Sequence, residues 1–373
     1  MSATRADSLG INIAEIEERL AGNWSLPTRF YHDPAIFDFE MEAIFARSWA
    51  FFCPVQKVME PGDVAVRQMG RWPIVVTRDR EGRLRAFFNV CRHRGYTVAE
   101  RDQTRCLRLV CRYHAWSYNL DGSLANAPDA DGEAGFNKDG LGLRPVAVEQ
   151  WGSAIFVNPD PEAPALREVW PEAFALGEAN GLAQDPGEFE LIRSVDYDIA
   201  TNWKLWYDNG TECYHCPTIH ETSFADSYDA GVGTYASEMG PGFLMSHYWA
   251  KPRPGDNTQA PVDQYAFQVF PGFVCIGEGD ILHMTGMVPM AAGRTRHVAH
   301  WLARPGTDPG FVREWSDVWD QTYCEDNQAT SDQFANLASG LQPWNRYVAG
   351  REFGSRHLSN TIWQHYKDAL GGA

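Results

Sequence analysis

The chain has few basic residues for its size. Lys and Arg number 32 against 49 Asp and Glu, a formal charge of −17. That balance excludes a general nucleic-acid partner, whose phosphates need a basic face. No apolar run is long enough to span a bilayer. The first residues, Met1-Ser-Ala-Thr-Arg-Ala-Asp, lack the apolar stretch of a secretory signal. A cytoplasmic location away from membranes is therefore expected. Cysteine is also sparse, 8 in 373 residues. Cys53, Cys106, Cys213, Cys216, Cys275 and Cys324 are scattered with no export signal, so most are expected to be buried, reduced thiols. There is no internal repeat and no low-complexity tract.

Aromatic residues are plentiful at 13%, with 14 Trp, enough for large cores in two ordinary domains. Apolar spacing predicts helices over residues 9–22 and 38–50. Short strands follow, including 73–77, 84–90 and 154–158, with turns at Glu60-Pro-Gly62 and Asp79-Arg-Glu-Gly82. Pro159-Asp-Pro161-Glu-Ala-Pro164 reads as a linker. Beyond it, 163–181 reads as helix, 189–200 as strand, 202–213 as helix, 265–304 as strands, and 311–341 and 352–370 as helices. The fold class is α+β. An N-terminal helical segment spans 1–39 and packs with the last domain. An all-β domain spans 40–160, and an antiparallel sheet with helices spans 161–373.

Four residues carry the chemistry of the first domain: Cys91 and His93, then Cys111 and His114. Each short loop offers one thiolate and one imidazole. Zinc fingers pair like ligands, as Cys-x-x-Cys and His-x-x-x-His. The mixed pairs suit a Rieske [2Fe–2S] cluster, in which two Cys hold one iron and two His the other. A structural zinc site is the alternative. Arg92, Arg94, Arg101, Arg105, Arg108 and Arg112 crowd this segment against only Glu100 and Asp102. They read either as a solvated basic face or as a docking patch for an acidic electron-transfer partner.

The surrounding text, Asn89-Val-Cys91-Arg-His93-Arg-Gly95 and Val110-Cys111-Arg-Tyr-His114-Ala-Trp116-Ser-Tyr followed by Asp121-Gly122, resembles the Rieske non-heme iron oxygenases. The resemblance implies a Rieske domain followed by a helix-grip catalytic domain that holds a mononuclear Fe(II). It implies electrons from NAD(P)H through a separate flavin or iron–sulfur reductase, directly or through a ferredoxin. His215 and His220, five apart and interrupted by Pro217, fall where the family's two iron-binding His lie. Two His and one carboxylate on one octahedral face leave positions for O2 and substrate. The third ligand is expected at Asp326, with Asp332 as competitor. Asn209 matches a family Asn near the iron, and a helix-packing amide is an equal reading.

Glu212 stands where many ring dioxygenases have Asp. There the carboxylate links the iron to the Rieske cluster of a neighbouring subunit, which implies a homo-oligomer, a trimer. Asn-x-x-Glu-Cys-Tyr-His resembles the branch that oxidises glycine betaine, carnitine and related quaternary ammonium compounds by N-demethylation. Aromatic faces bind such cations. Trp206, Tyr207, Tyr228, Tyr235, Phe243, Tyr248, Trp249, Tyr265, Phe267 and Phe270 are the candidates. The second reading is an aromatic-ring or aromatic-acid hydroxylase. The non-enzyme readings are a Rieske electron carrier and a zinc-stabilised ligand-binding protein.

Overall fold

The computed structural model describes residues 5–130, 132–229, 231, 235–251 and 263–371. It divides into two units, residues 45–169 and residues 1–44 with 170–373. The sequence reading placed its boundaries at 39/40 and 160/161. Trp49 Nε1 donates to the Pro164 carbonyl of the Pro-rich stretch at 3.0 Å, and just past it Leu166 N donates to Glu149 Oε1 at 3.1 Å. That stretch is packed chain, not a free linker.

The 45–169 unit is built on a six-stranded antiparallel sheet. Its order is Ala50–Pro54, Ala154–Asn158, Pro145–Trp151, Leu84–Phe88, Trp72–Arg78, Val64–Met69. A three-stranded sheet, Leu109–Val110, Ser117–Tyr118 and Leu124–Asn126, carries the second Cys/His loop at its first turn. Val64, Val75, Phe87, Leu109 and Tyr118 form one buried cluster that also contains Cys91 and Cys111. Gly122 explains the Asp-Gly turn. Its φ is +85°, and a Cβ there would lie 2.3 Å from the Phe87 ring.

The other unit holds a seven-stranded antiparallel sheet. Its strands in chain order are β1 (Glu190–Ile199), β2 (Tyr235–Gly240), β3 (Phe243–Tyr248), β4 (Gln264–Val269), β5 (Phe273–Glu278), β6 (Ile281–Ala291) and β7 (Arg294–Ala303), arranged β1-β7-β6-β5-β4-β3-β2. Three helices matter most: α1 (Trp203–Gly210), α2 (Pro309–Leu337) and α3 (Phe353–Gly371). Helix α2 buries Trp315, Trp319, Tyr323, Asp326 and Thr330, a stripe at three- and four-residue spacing. Asn202 caps α1 by accepting from Lys204 N at 3.0 Å. Among the described residues no helix is long and apolar enough to cross a membrane.

Helix α1 ends at Gly210, earlier than the expected 213, and Pro217 opens a separate short helix, Cys216–Ile219. A proline lacks the N–H that would continue the ladder, so the chain between the helices is free to turn its side chains inward. Strands β2 and β3 were not foreseen. Their burial patterns lack the clean alternation that marks a half-buried strand. The thiols of Cys213 and Cys216 are joined as a disulfide, with Cα atoms 4.9 Å apart, which corrects the reduced reading for that pair. Cys53, Cys106, Cys275 and Cys324 are free, though Cys324 is exposed.

Candidate metal centres

The two Cys/His loops share one backbone pattern. Cys91 N donates to the Tyr96 carbonyl and Gly95 N to the Cys91 carbonyl; Cys111 N donates to the Trp116 carbonyl and Ala115 N to the Cys111 carbonyl. Gly95 and Ala115 both turn with positive φ, +77° and +58°. The loops thus point their thiols inward and their imidazoles outward. Cys91 and Cys111 are 3% and 2% exposed, whereas His93 and His114 lie at the surface with ring centroids 4.6 Å apart. His93 stacks on Trp116 at 4.8 Å. Tyr118 Oη lies 3.3 Å from Cys91 Sγ and accepts from Arg92 N at 3.0 Å. Two buried thiols opposite two exposed imidazoles fit a cluster with one thiolate-bound and one imidazole-bound iron. Arg94, Arg101, Arg105, Arg108 and Arg112 are exposed around it, and Arg112 pairs with Glu100 at 3.0 Å.

The second constellation lies in the other unit. His215 Nε2 and His220 Nε2 are 3.2 Å apart, and Asp326 Oδ1 stands 3.4 and 3.1 Å from them. Ligands about 2.1 Å from a metal on adjacent octahedral positions stand roughly 3 Å apart, so the three atoms fit one face around one ion. The remaining ring nitrogens are held too. His215 Nδ1 meets Glu212 Oε1 at 2.5 Å, and His220 Nδ1 meets Glu325 Oε2 at 2.8 Å. Asn209 Nδ2 donates to Asp326 Oδ1 at 2.6 Å. Asp332 instead accepts from Gln328 in an exposed pair, away from the triad.

The electrostatics suit a cation. Burial works against charge on His215, but the hydrogen bonds its ring donates to the Asp326 and Glu212 carboxylates override it and raise its pKa to about 10. The same balance raises His220. Burial pushes the Asp326 carboxyl up, yet the two imidazoles hold it well below the usual carboxylate range. A divalent ion replaces the proton in such a field. Glu325 was absent from the sequence reading as a participant. Its signal was there, as the residue before Asp326. Neighbours on a helix lie about 100° apart, so both can border one imidazole.

A cavity of about 70 Å³ opens over the triad. Trp206, Phe224, Tyr248, Trp319 and Tyr323 supply its aromatic walls, and Gln264, Ala266 and Gln268 line it from β4. Of the ten aromatic candidates only Trp206 and Tyr248 reach it. Tyr207, Phe243 and Phe270 line a different hollow. Phe224, Trp319 and Tyr323 were missed because they lie on helices whose inward face only the fold reveals.

Two families match the chain in turn. The Rieske [2Fe-2S] domain family matches residues 48–147, and the ring hydroxylating alpha subunit (catalytic domain) family matches residues 187–368. The chain belongs to the Rieske non-heme iron oxygenases. Its two domains imply a Rieske cluster and a mononuclear iron. The carnitine monooxygenase oxygenase subunit of Escherichia coli (strain K12) is 35% identical over 61% of this chain and 60% of its own length. The glycine betaine monooxygenase oxygenase subunit of Chromohalobacter salexigens is 36% identical over 56% of this chain and 45% of its own. The chain thus matches less than two thirds of these curated relatives' length. The crystal structure of the quaternary ammonium Rieske monooxygenase CntA with an inhibitor superposes with a TM-score of 0.84, at 25% identity, over 94% of this chain and 98% of that one.

Proposed function

We propose that this protein is a terminal oxygenase that removes an N-methyl group from a quaternary ammonium compound. The carrying observation is the triad His215, His220 and Asp326 beneath a cavity with five aromatic walls and two carboxylates, Glu212 and Asp326. Aromatic faces and nearby negative charge together favour a desolvated ammonium. Likeness to carnitine and glycine betaine monooxygenase subunits supports the same substrate class. In the net reaction one oxygen atom of O2 enters a methyl C–H bond and the other leaves as water, with two electrons and two protons consumed. The resulting carbinolamine then loses formaldehyde and a proton to give the tertiary amine.

Bound iron supplies O2 activation and Cys91, His93, Cys111 and His114 hold the electron-storing cluster. The chain's own residues do the rest. Glu212 and Glu325 fix the ring orientation of His215 and His220 through their Nδ1 atoms. Asn209 orients Asp326. The aromatic walls exclude water and hold the ammonium. Electrons come from a separate reductase, which docks on the exposed arginines around His93 and His114. The oxygenase works in the cytoplasm as a cyclic trimer, in which Glu212 of one copy bridges toward His93 or His114 of the next.

An aerobic assay with a generic reductase tests this reading. Formaldehyde should form one-for-one with O2 consumed when a trimethylammonium compound is supplied. Hydroxylation of benzoate-like acids, with no formaldehyde from any ammonium compound, would favour the aromatic reading instead.

A further inference from the structure

The Cys213–Cys216 bond brackets a metal-site histidine. His215 stands between the two cysteines, and both cysteines line the cavity over the triad. They are buried, at 3% and 4% exposure. A bond across three residues closes so short a loop that it restrains the unfolded chain little. Stability is therefore a weak reason for it.

Position offers a better one. Cys216 Sγ lies 3.9 Å from His215 Nε2, the nitrogen that faces His220 and Asp326. That sulfur and one ring nitrogen each of His215 and His220 fall within 4.8 Å of one another. A thiolate and an imidazole on one tetrahedral metal stand roughly 3.6 Å apart, given bond lengths of about 2.3 and 2.05 Å. Cys216 is thus placed as a donor to the same metal position. Only a thiolate is a good ligand, and the bond to Cys213 denies the sulfur that form.

The consequence is one of metal choice. Zinc outcompetes iron(II) at most nitrogen and oxygen sites, so an iron site is kept by ligand type and geometry. His215, His220 and Asp326 alone leave coordination positions open, as iron oxygenases require. A fourth protein ligand closes a site, and a thiolate softens it. Two imidazoles, a carboxylate and a thiolate make a closed tetrahedral zinc set.

We infer that the Cys213–Cys216 bond keeps the Cys216 thiolate out of the mononuclear site and so holds that site open and selective for iron. Freed, Cys216 becomes a fourth ligand that captures zinc. This role rests on the triad reading above and holds whichever substrate the cavity takes. Cys216 acts here on metal binding, not on the oxidation itself.

The test uses protein with its Rieske cluster fully loaded. The mononuclear metal is removed by a chelator, and iron(II) and zinc are offered together without oxygen. Bound metals are counted, and the ligands of zinc are read by X-ray absorption at the zinc edge, where the cluster is silent. Cys213→Ser frees Cys216, whereas Cys216→Ser breaks the same bond and removes the ligand. A purely structural bond would move both variants alike. Cys213→Ser should instead show a zinc–sulfur distance of about 2.3 Å. Its zinc-to-iron ratio should exceed that of Cys216→Ser by about tenfold or more, since even an outer partner of a ligand shifts metal affinity by roughly 10–100-fold. The parent and Cys216→Ser should show only nitrogen and oxygen around zinc. The parent treated with a dithiol gives the same reading as Cys213→Ser without a substitution. The dithiol closes to its own disulfide and passes two electrons and two protons to the cysteines, and one proton leaves as Cys216 binds zinc. Nitrogen and oxygen alone around zinc in both freed forms, or equal ratios in the two variants, would overturn the assignment. So would a zinc–sulfur distance that survives His220→Ala in the Cys213→Ser protein, because the zinc would then lie elsewhere with the triad reading intact. A parent that takes up no metal beyond its cluster sinks the triad reading itself, and the role of Cys216 with it.

Discussion

His220 and Glu325 are joined on the side of the imidazole away from the metal position, Nδ1 to Oε2 at 2.8 Å, while Nε2 faces Asp326. Consecutive residues of α2 therefore grip both nitrogens of one ring. Ser223 Oγ and Gln321 Nε2 donate to Glu325 in turn, at 2.6 and 2.8 Å. The ring is held in one orientation before any ion arrives. Glu325→Ala should weaken iron retention by about 10–100-fold while the visible spectrum of the Rieske cluster is unchanged. Chelator competition measures it. Iron affinity equal to that of the parent would reduce Glu325 to a packing residue.

Much of this site was legible because its chemistry is local in sequence. Cys91, His93, Cys111 and His114 stand on two short loops, and His215, Glu212 and Asn209 within seven residues of one another. What closed the site was not local. Asp326 lies over a hundred residues beyond His220, and only the α2 stripe of Trp315, Trp319 and Tyr323 turns it inward. Gln264 and Gln268 read as ordinary polar residues until the strand faces a cavity. The Cys213–Cys216 disulfide was missed because the compartment argument speaks to whole chains and says nothing of two thiols three residues apart.

Tyr118 stands where it would tune a cluster held by Cys91. Its hydroxyl oxygen accepts from Arg92 N, which leaves the phenolic hydrogen directed at Cys91 Sγ. A hydrogen bond to a cluster sulfur favours the reduced, more negative state. Tyr118→Phe should therefore lower the reduction potential with the cluster content intact, as followed by an EPR-monitored redox titration. An unchanged potential would mean the hydroxyl serves only the Arg92 backbone.

Asp208 gives the fold a pH dependence. It is buried, and burial pushes its carboxyl up from 3.8 to about 7, with Glu212 and Glu352 adding to the rise and bonds from Ser355 and Tyr347 opposing it. The folded state then keeps a proton that the unfolded chain releases above about pH 4. Stability accordingly falls as pH rises from about 4 to 7 and stays lower above that. Asp208→Asn removes the titration and can still accept from Tyr347. The variant should gain on the order of 2–4 kcal/mol over the parent at pH 8, and clearly less at pH 5. Thermal melts at the two values check it. An equal difference at both would show that Asp208 does not titrate in this window.

Glu40 and Lys204 form a buried ion pair, 2.6 Å apart with side chains 0% and 1% exposed. Glu40 closes the helix Pro34–Glu40 and Lys204 lies in the first turn of α1, so the pair ties the N-terminal segment to the helix that carries Asn209. Trp203 Nε1 also donates to Glu40, at 2.9 Å, and Tyr366 of α3 donates its hydroxyl to it. Burial alone depresses the Lys204 pKa, and Glu40 is what holds its charge. Removing one partner strands the other's charge in the core. Lys204→Met should cost about 3–5 kcal/mol, read as a drop in the urea midpoint. Glu40→Gln strands the lysine and should cost a similar amount, though Gln still accepts from Trp203 or Tyr366. The double variant removes both charges and should recover most of either loss, because neither desolvated ion is left alone. If the two losses simply add, the charges are uncoupled, and the N-terminal helix docks through Ile36 and Phe39 without help from the ion pair.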